Sequence, residues 1–192
     1  MLLYLNSVIC KELKMKKIFV ILSIIFCALF LDQLSKGLLL YLITDTVPWA
    51  GHAWDIVPVP YMMANVFDFF NVVFTWNFGT SFSRFRTLGE ATPFIMIVAT
   101  GAIIGALLYY LFKRAKKYEV APLALVCGGA LGNLVDRIRF GAVVDFLDFH
   151  IGGWHWPAFN IADVCIVLGV AWYLLSVYLA RQKCIKSIKD GK

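Results

Sequence analysis

The sequence predicts an α-helical integral membrane protein with four transmembrane helices and a small extracytoplasmic β-sheet. Of the 192 residues, 61% are hydrophobic and only 16% are charged, whereas soluble domains average roughly 45–50% apolar and about 25% charged residues. Most Lys and Arg residues flank apolar runs, in the ranges 11–17, 113–117 and 181–192. This distribution is typical of the positive-inside pattern of membrane proteins. It argues against a nucleic-acid-binding face despite the net charge of +6.

Four apolar segments are long enough to span a bilayer, which takes about 20 residues of helix. The approximate spans are 18–43, 93–112, 120–137 and 161–180. The first segment also resembles the apolar core of a cleaved signal peptide. No small-residue cleavage site follows it, and Asp32 interrupts it, so we expect a retained helix. Because no linker or repeat separates the segments, we expect residues 1–192 to form a single membrane domain.

Residues 44–90 form the longest region outside the predicted spans. Three prolines exclude a continuous helix there. The range 67–85 is rich in aromatic and β-branched residues with Asn and Gly between them, which indicates short strands. We expect a small sheet on the membrane surface, with Trp49, Trp54 and Trp76 as interfacial anchors.

Polar residues are concentrated in the stretch 128–163, between the third and fourth predicted spans. They are Asn133, Asp136, Arg137, Asp145, Asp148, Asn160 and Asp163. Since the basic clusters place both termini in the cytoplasm, this stretch is expected at the extracytoplasmic face. Ionisable residues at a membrane edge are costly, and they indicate a functional site by default.

Asp145 and Asp163 are the candidate catalytic pair of a membrane aspartic peptidase. Two adjoining carboxyl groups cannot both ionise easily, so the pair can hold one proton, activate a water molecule and protonate a leaving amine. Asp163 begins an apolar helix, whose positive dipole end favours its negative charge. Asp145 lies among apolar residues, which favour its neutral form. The spacing alone does not establish that the two side chains meet.

Structural roles explain several of these residues without catalysis. Asn160 followed by Asp163 is also an N-cap with an acidic residue in the first helical turn. Asp32 with Lys36, and Asp136 with the arginine that follows it, can form ion pairs that make polarity tolerable within a span.

Glycine and histidine patterns give weaker indications. The pairs Gly101–Gly105 and Gly128–Gly132 have the small-residue spacing that permits close helix packing. His150 and His155 flank two glycines and lack a third ligand at metal-binding spacing, so we expect a surface loop there. No metal or other cofactor is predicted.

The alternative function is a small ion-coupled membrane transporter subunit with an intramembrane carboxylate path. Four spans are few for a transporter, no inverted repeat is visible, and the ionisable groups gather toward one face. A structural membrane scaffold is a third interpretation. It predicts that Asp145→Asn and Asp163→Asn are harmless, whereas each would inactivate a peptidase.

Five sequence blocks, in order, resemble the lipoprotein signal peptidase (signal peptidase II) family. The blocks lie at 32–36, 77–82, 128–137, 143–146 and 156–163. The likeness covers nearly the whole chain, although the segment 44–71 is longer than the family pattern. The resemblance implies a four-helix membrane protein whose extracytoplasmic sheet forms a cradle.

The resemblance also implies an activity: a metal-free, cofactor-free aspartic endopeptidase that removes the signal peptide from diacylglyceryl-modified bacterial prolipoproteins, cleaving before the lipidated cysteine. Asp145 and Asp163 match the catalytic dyad. Seven other residues match positions that bind substrate or support the dyad: Asp32, Lys36, Asn77, Asn133, Asp136, Arg137 and Asn160. The expected partners are the lipid-modified prolipoprotein and membrane lipids. We expect a monomer in the bacterial cytoplasmic (inner) membrane, with its active site near the extracytoplasmic face.

Overall fold

Long helices and one small antiparallel sheet make up the described part of the chain. The computed structural model describes residues 2–45, 51, 53–56, 61–79 and 91–189. The helices are α1 (Leu2–Thr44), α2 (Ala53–Ile56), α3 (Ala91–Lys113), α4 (Lys117–Phe140) and α5 (Ile161–Lys189). The strands are β1 (Tyr61–Phe67), β2 (Phe70–Asn77), β3 (Val143–Ile151) and β4 (Trp154–His155).

Four of these helices are long and apolar enough to cross a membrane. Their apolar parts are Lys14–Thr44, Pro93–Lys113, Lys117–Phe140 and Ile161–Lys186. Each predicted span lies within one of them, so the predicted fold class of four spanning helices with a small sheet is confirmed. The organisation as a single domain stays a prediction.

Helix α4 lies at the centre of the bundle, where it packs against α1, α3 and α5. The protein itself buries 50% of the most apolar window of α4, against 22% for α1 and 11% each for α3 and α5. The three outer helices therefore present extensive apolar surface, which is covered by lipid in a membrane.

Small residues of α4 permit the close approach of α1. A Cβ atom added at Gly128 would lie 2.7 Å from the Cβ of Ala28, and one added at Gly132 would contact the carboxylate of Asp32. The packing role predicted for Gly128–Gly132 is confirmed. The same prediction for Gly101–Gly105 is wrong, because no other helix or strand of the described ranges comes within 4 Å of a Cβ built at either glycine.

The sheet has the strand order β1-β2-β3-β4, with every neighbouring pair antiparallel. Strand β3 comes from the polar stretch between α4 and α5, where no strand was predicted. Gly141 caps the C-terminal end of α4, and its N–H donates to the carbonyl of Arg137. Its left-handed φ of 75° turns the chain out of the helix. This turn delivers β3 to its place beside β2, where Asn77 pairs with Val143 and Thr75 with Asp145.

Aromatic side chains of β2 share one hydrophobic cluster with Phe140 of α4 and with Leu39 and Leu40 of α1. Trp76 packs edge-on against Phe74 with ring centroids 5.1 Å apart, and it lies 5.5 Å from the ring of Phe140. Because only 6% of Trp76 is exposed, its prediction as an interfacial anchor is wrong. It belongs to the buried side of β2. The other two predicted anchors, Trp49 and the side chain of Trp54, lie outside the described residues.

Basic residues gather at the end of the bundle away from the sheet. The Nζ of Lys17 near the start of the α1 span donates to the carbonyl of Ala115, in the turn between α3 and α4, at 2.9 Å. The basic flanks of the first three spanning helices therefore meet at one end.

The two histidines expected in a loop lie instead on neighbouring strands. His150 of β3 pairs with His155 of β4, and their rings stack with centroids 4.8 Å apart. The loop prediction is wrong because the glycines between them form the turn of a short hairpin.

Candidate active site

Asp145 is buried at the start of β3, with 2% of its surface exposed. Its Oδ1 accepts a hydrogen bond from the Asn160 amide at 2.6 Å, and its Oδ2 accepts one from the Asn77 amide at 2.8 Å. The N–H of Gly79 donates to Oδ1 of Asn77 at 2.8 Å, which orients the Asn77 amide so that its nitrogen faces the carboxylate.

Asp163 lies in the first turn of α5 and makes two kinds of contact. Its N–H donates to Asn160 Oδ1 at 3.0 Å, and its Oδ2 accepts from the Asn160 N–H at 3.3 Å. These reciprocal bonds are a helix cap, so the structural interpretation of this pair holds. The other oxygen, Oδ1, accepts from the Asn133 amide at 2.8 Å. One carboxylate oxygen of Asp163 therefore caps the helix, while the other faces Asn133 of α4.

Asn160 joins the two carboxyl groups. Besides its bond to Asp145, its buried amide nitrogen lies 3.2 Å from both Asn133 Oδ1 and the carbonyl oxygen of Val144, and its two hydrogens are shared among these three acceptors. Its main chain holds Asp163. Two aspartates on separate elements therefore converge on a single residue, and the charge of Asp163 contributes to raising the pKa of Asp145.

Burial in this cluster changes the proton affinity of Asp145. Removal of its carboxyl group from water, reinforced by the nearby charge of Asp163, raises its pKa from 3.8 to about 7. The hydrogen bonds from Asn77 and Asn160 and the charge of Lys36 act in the opposite direction but do not cancel the effect of burial. At neutral pH a proton can therefore be held or released at this carboxyl.

Three of the other predicted residues contact Lys36, which is buried where α1 packs against α4. Its Nζ lies 2.8 Å from Asp32 Oδ2 and 2.9 Å from Asp136 Oδ2, and it donates to Asn133 Oδ1 at 3.1 Å. The predicted ion pair of Asp136 with Arg137 is wrong, because Asp136 binds Lys36 instead. Arg137 instead donates to the carbonyl of Asn133 at 3.3 Å. All nine predicted site residues thus lie in one hydrogen-bonded network.

Asp148, three residues after Asp145 on β3, belongs to a separate cluster. It accepts hydrogen bonds from Asn71 at 3.0 Å and contacts His155 Nδ1 at 2.9 Å. Burial by itself raises the pKa of Asp148, but these bonds and the charges of His155 and His150 outweigh it and leave the pKa below its usual value. No group of three His, Cys, Asp or Glu residues in the described ranges is arranged to hold a metal ion.

Two contributions to the site were not predicted from the sequence. Gln33 donates to Asp136 Oδ1 at 2.9 Å and accepts from Arg139 at 3.1 Å, which extends the network along the α1–α4 interface. The signal that could have identified Gln33 is its position within the block 32–36, beside two residues that were predicted. The second contribution comes from main-chain N–H groups, such as the N–H of Gly79 that orients Asn77. Every residue type except proline carries this group, so the sequence does not show which N–H groups reach the site.

Known proteins are similar to this chain over most of its length. The family model described as Signal peptidase (SPase) II matches residues 24–179. A lipoprotein signal peptidase of Anaplasma phagocytophilum (strain HZ) is 40% identical over 160 residues, which cover 83% of this chain and 92% of that protein. One of Sulfurihydrogenibium sp. (strain YO3AOP1) is 37% identical over 163 residues, covering 83% and 91%. A solved bacterial membrane enzyme superposes with a TM-score of 0.62 at 27% identity, covering 82% of this chain and 91% of the other. The chain belongs to the signal peptidase II family of aspartic peptidases.

Proposed function

We propose that this chain removes the signal peptide from diacylglyceryl-modified prolipoproteins, cleaving before the lipidated cysteine with Asp145 and Asp163 as a catalytic dyad. The observation that carries the dyad is the convergence of both carboxyl groups on Asn160, on neighbouring sides of one polar cluster. Family membership supports the substrate class, since its relatives are lipoprotein signal peptidases.

The chemistry proposed for the dyad needs one proton shared between two carboxyl groups. Asp163 takes a proton from a water molecule, and the resulting nucleophile attacks the scissile carbonyl carbon. Asp145 donates its proton toward the carbonyl oxygen. As the resulting gem-diol collapses, Asp163 gives its proton to the leaving amide nitrogen and Asp145 takes a proton back from one hydroxyl group, which restores the starting state.

The environments of the two carboxyl groups support this division of roles. Asp145 is the more buried, and its pKa of about 7 leaves a proton on this carboxyl in a substantial share of molecules at neutral pH and in most of them below it. Asp163 is partly exposed, sits at a helix N-terminus and accepts from Asn133, so that its negative charge is stabilised.

A substrate anchored in lipid fits the position of this cluster. The cluster lies beside the sheet, where α4 ends and α5 begins. A peptide in the bilayer can therefore approach it sideways, with its acyl chains beside the apolar helix surfaces. The basic contact of Lys17 with the α3–α4 turn lies at the other end. By the positive-inside rule we place that end and both termini in the cytoplasm, and the dyad near the extracytoplasmic face, in a chain that acts as a monomer.

Replacing each aspartate by asparagine tests the proposal. Asp145→Asn and Asp163→Asn should abolish cleavage, measured by the gel mobility of a lipidated precursor, while the protein still accumulates in membranes. Asp148→Asn is the matched control, because Asp148 is a buried carboxylate of the same strand outside the cluster. Wild-type processing by either dyad variant would refute the assigned roles.

A further inference from the structure

Each aspartate of the proposed dyad is preceded in the chain by a residue whose main-chain N–H donates to a buried carboxylate. The N–H of Ala162 donates to Asp32 Oδ1 at 2.9 Å, and the N–H of Val144 donates to Asp136 Oδ2 at 3.2 Å. Ala162 and Val144 each directly precede one dyad residue. Both carboxylates therefore hold the main chain one residue away from a side chain that is proposed to react.

Lys36 ties these two carboxylates together. Its ammonium group lies within 2.9 Å of both Asp32 and Asp136. The three residues are 2% exposed or less, so water does not compete for their hydrogen bonds. Charge-assisted bonds are strong in such an environment. The two peptide groups are consequently fixed relative to each other through α1.

Gly132 makes room for this arrangement. A Cβ atom built there would contact Asp32 Oδ2 and lie 2.9 Å from its Cγ. Helix α4 thus approaches the Asp32 carboxylate so closely that a methyl group would displace it.

We infer, given the proposed function, that Asp32, Lys36 and Asp136 form a positioning clamp that sets the separation of Asp145 and Asp163 through the main chain. None of the three is required to touch the substrate. A misplacement of about 1 Å can lower a rate about a hundredfold, so weakening the clamp lowers kcat and leaves KM nearly unchanged.

Two substitutions at Asp32 separate the hydrogen bond from the charge. Asp32→Ala removes the acceptor for the Ala162 N–H, whereas Asp32→Asn removes the same charge but keeps an oxygen in that place. We expect kcat to fall about a hundredfold in Asp32→Ala and clearly less in Asp32→Asn, with KM little changed in both. Purified full-length enzyme in lipid, assayed on a peptide bearing a diacylglyceryl cysteine, gives both constants.

The assay temperature excludes a loss of folded protein as the cause. Each variant is assayed well below its own Tm, so a role in stability alone leaves kcat at the wild-type level. A wild-type kcat in Asp32→Ala, or equal losses in the alanine and asparagine variants, would overturn the clamp.

Glycine substitutions provide matched controls for helix spacing. Gly132→Ala and Gly128→Ala both add a methyl group between α1 and α4, but only Gly132 faces Asp32. We expect the larger loss of kcat in Gly132→Ala, and wild-type kinetics in Gly105→Ala, where the added methyl meets open space. Equal losses at positions 128 and 132 would count against the clamp.

Failure of the clamp and failure of the proposed function give different results. If Asp145→Asn still cleaves the peptide, the dyad is wrong whatever the clamp variants do. If Asp145→Asn is inactive while Asp32→Ala keeps wild-type kcat, the dyad stands and the clamp is rejected.

Discussion

Replacing Asp145 with asparagine is expected to inactivate the protein and, above neutral pH, to stabilise it. The pKa of this carboxyl is raised from 3.8 to about 7 on folding. A carboxyl with a raised pKa stabilises the fold fully below its unfolded pKa. That contribution is lost as the pH rises from 3.8 through about 7. Above this window the wild-type protein bears the full cost of a buried charge, and asparagine does not.

The size of the effect follows from the pKa and the hydrogen bonds. A rise of about 3 units corresponds to about 4 kcal/mol. Against this, asparagine has one oxygen where the carboxylate accepts from both Asn77 and Asn160, and one unmade bond costs about 1–3 kcal/mol. The net stabilisation is about 2 kcal/mol above neutral pH, or about 4–8 °C in Tm for a chain of this length. In acid only the lost bond remains, and the variant is the less stable protein.

Thermal unfolding of both purified proteins in detergent, at about pH 8 and about pH 4, measures this change of sign. Asp148→Asn should behave in the opposite way, because the pKa of Asp148 is lowered and its ionised form stabilises the fold at neutral pH. A Tm difference between wild type and Asp145→Asn that is the same at both pH values would refute the argument from burial.

Two other predictions follow from the same contacts. Asn77→Ala removes a donor that lowers the pKa of Asp145, so the high-pH limb of the kcat/KM profile should move to higher pH; an unmoved limb would contradict this. Trp76→Ala should cost about 3–5 kcal/mol in unfolding free energy because Trp76 is buried in the core. Trp154→Ala, at a side chain that is 60% exposed, should cost much less, and equal losses would show that the two sites are not distinguished by burial.

The four apolar helices could be predicted because a bilayer imposes constraints that are visible locally. A spanning helix needs a certain length of apolar sequence, and basic residues collect at its cytoplasmic end. The predicted spans accordingly lie within the observed helices. The candidate site residues were predicted from the resemblance of five sequence blocks to the family. Strand β3 was missed because its two aspartates, Asp145 and Asp148, interrupt an otherwise apolar run that resembles a strand.

The predictions that failed depend on partners distant in sequence. Asp136 is adjacent to Arg137 but binds Lys36, one hundred positions away in the chain, because the crossing of α1 and α4 brings that ammonium within reach. Trp76 is buried because β2 turns that side chain toward Phe140. Neither outcome follows from the spacing of residues within one element.

The sequence by itself determined that this protein has four apolar helices and that acidic residues lie between two of them, because length, hydrophobicity and charge are properties of a segment. Only the tertiary structure decided that two of those acids meet at Asn160 and that buried carboxylates hold the peptide groups before them. Hydrogen bonds have short range and fixed direction, so their partners are set by how helices and strands pack.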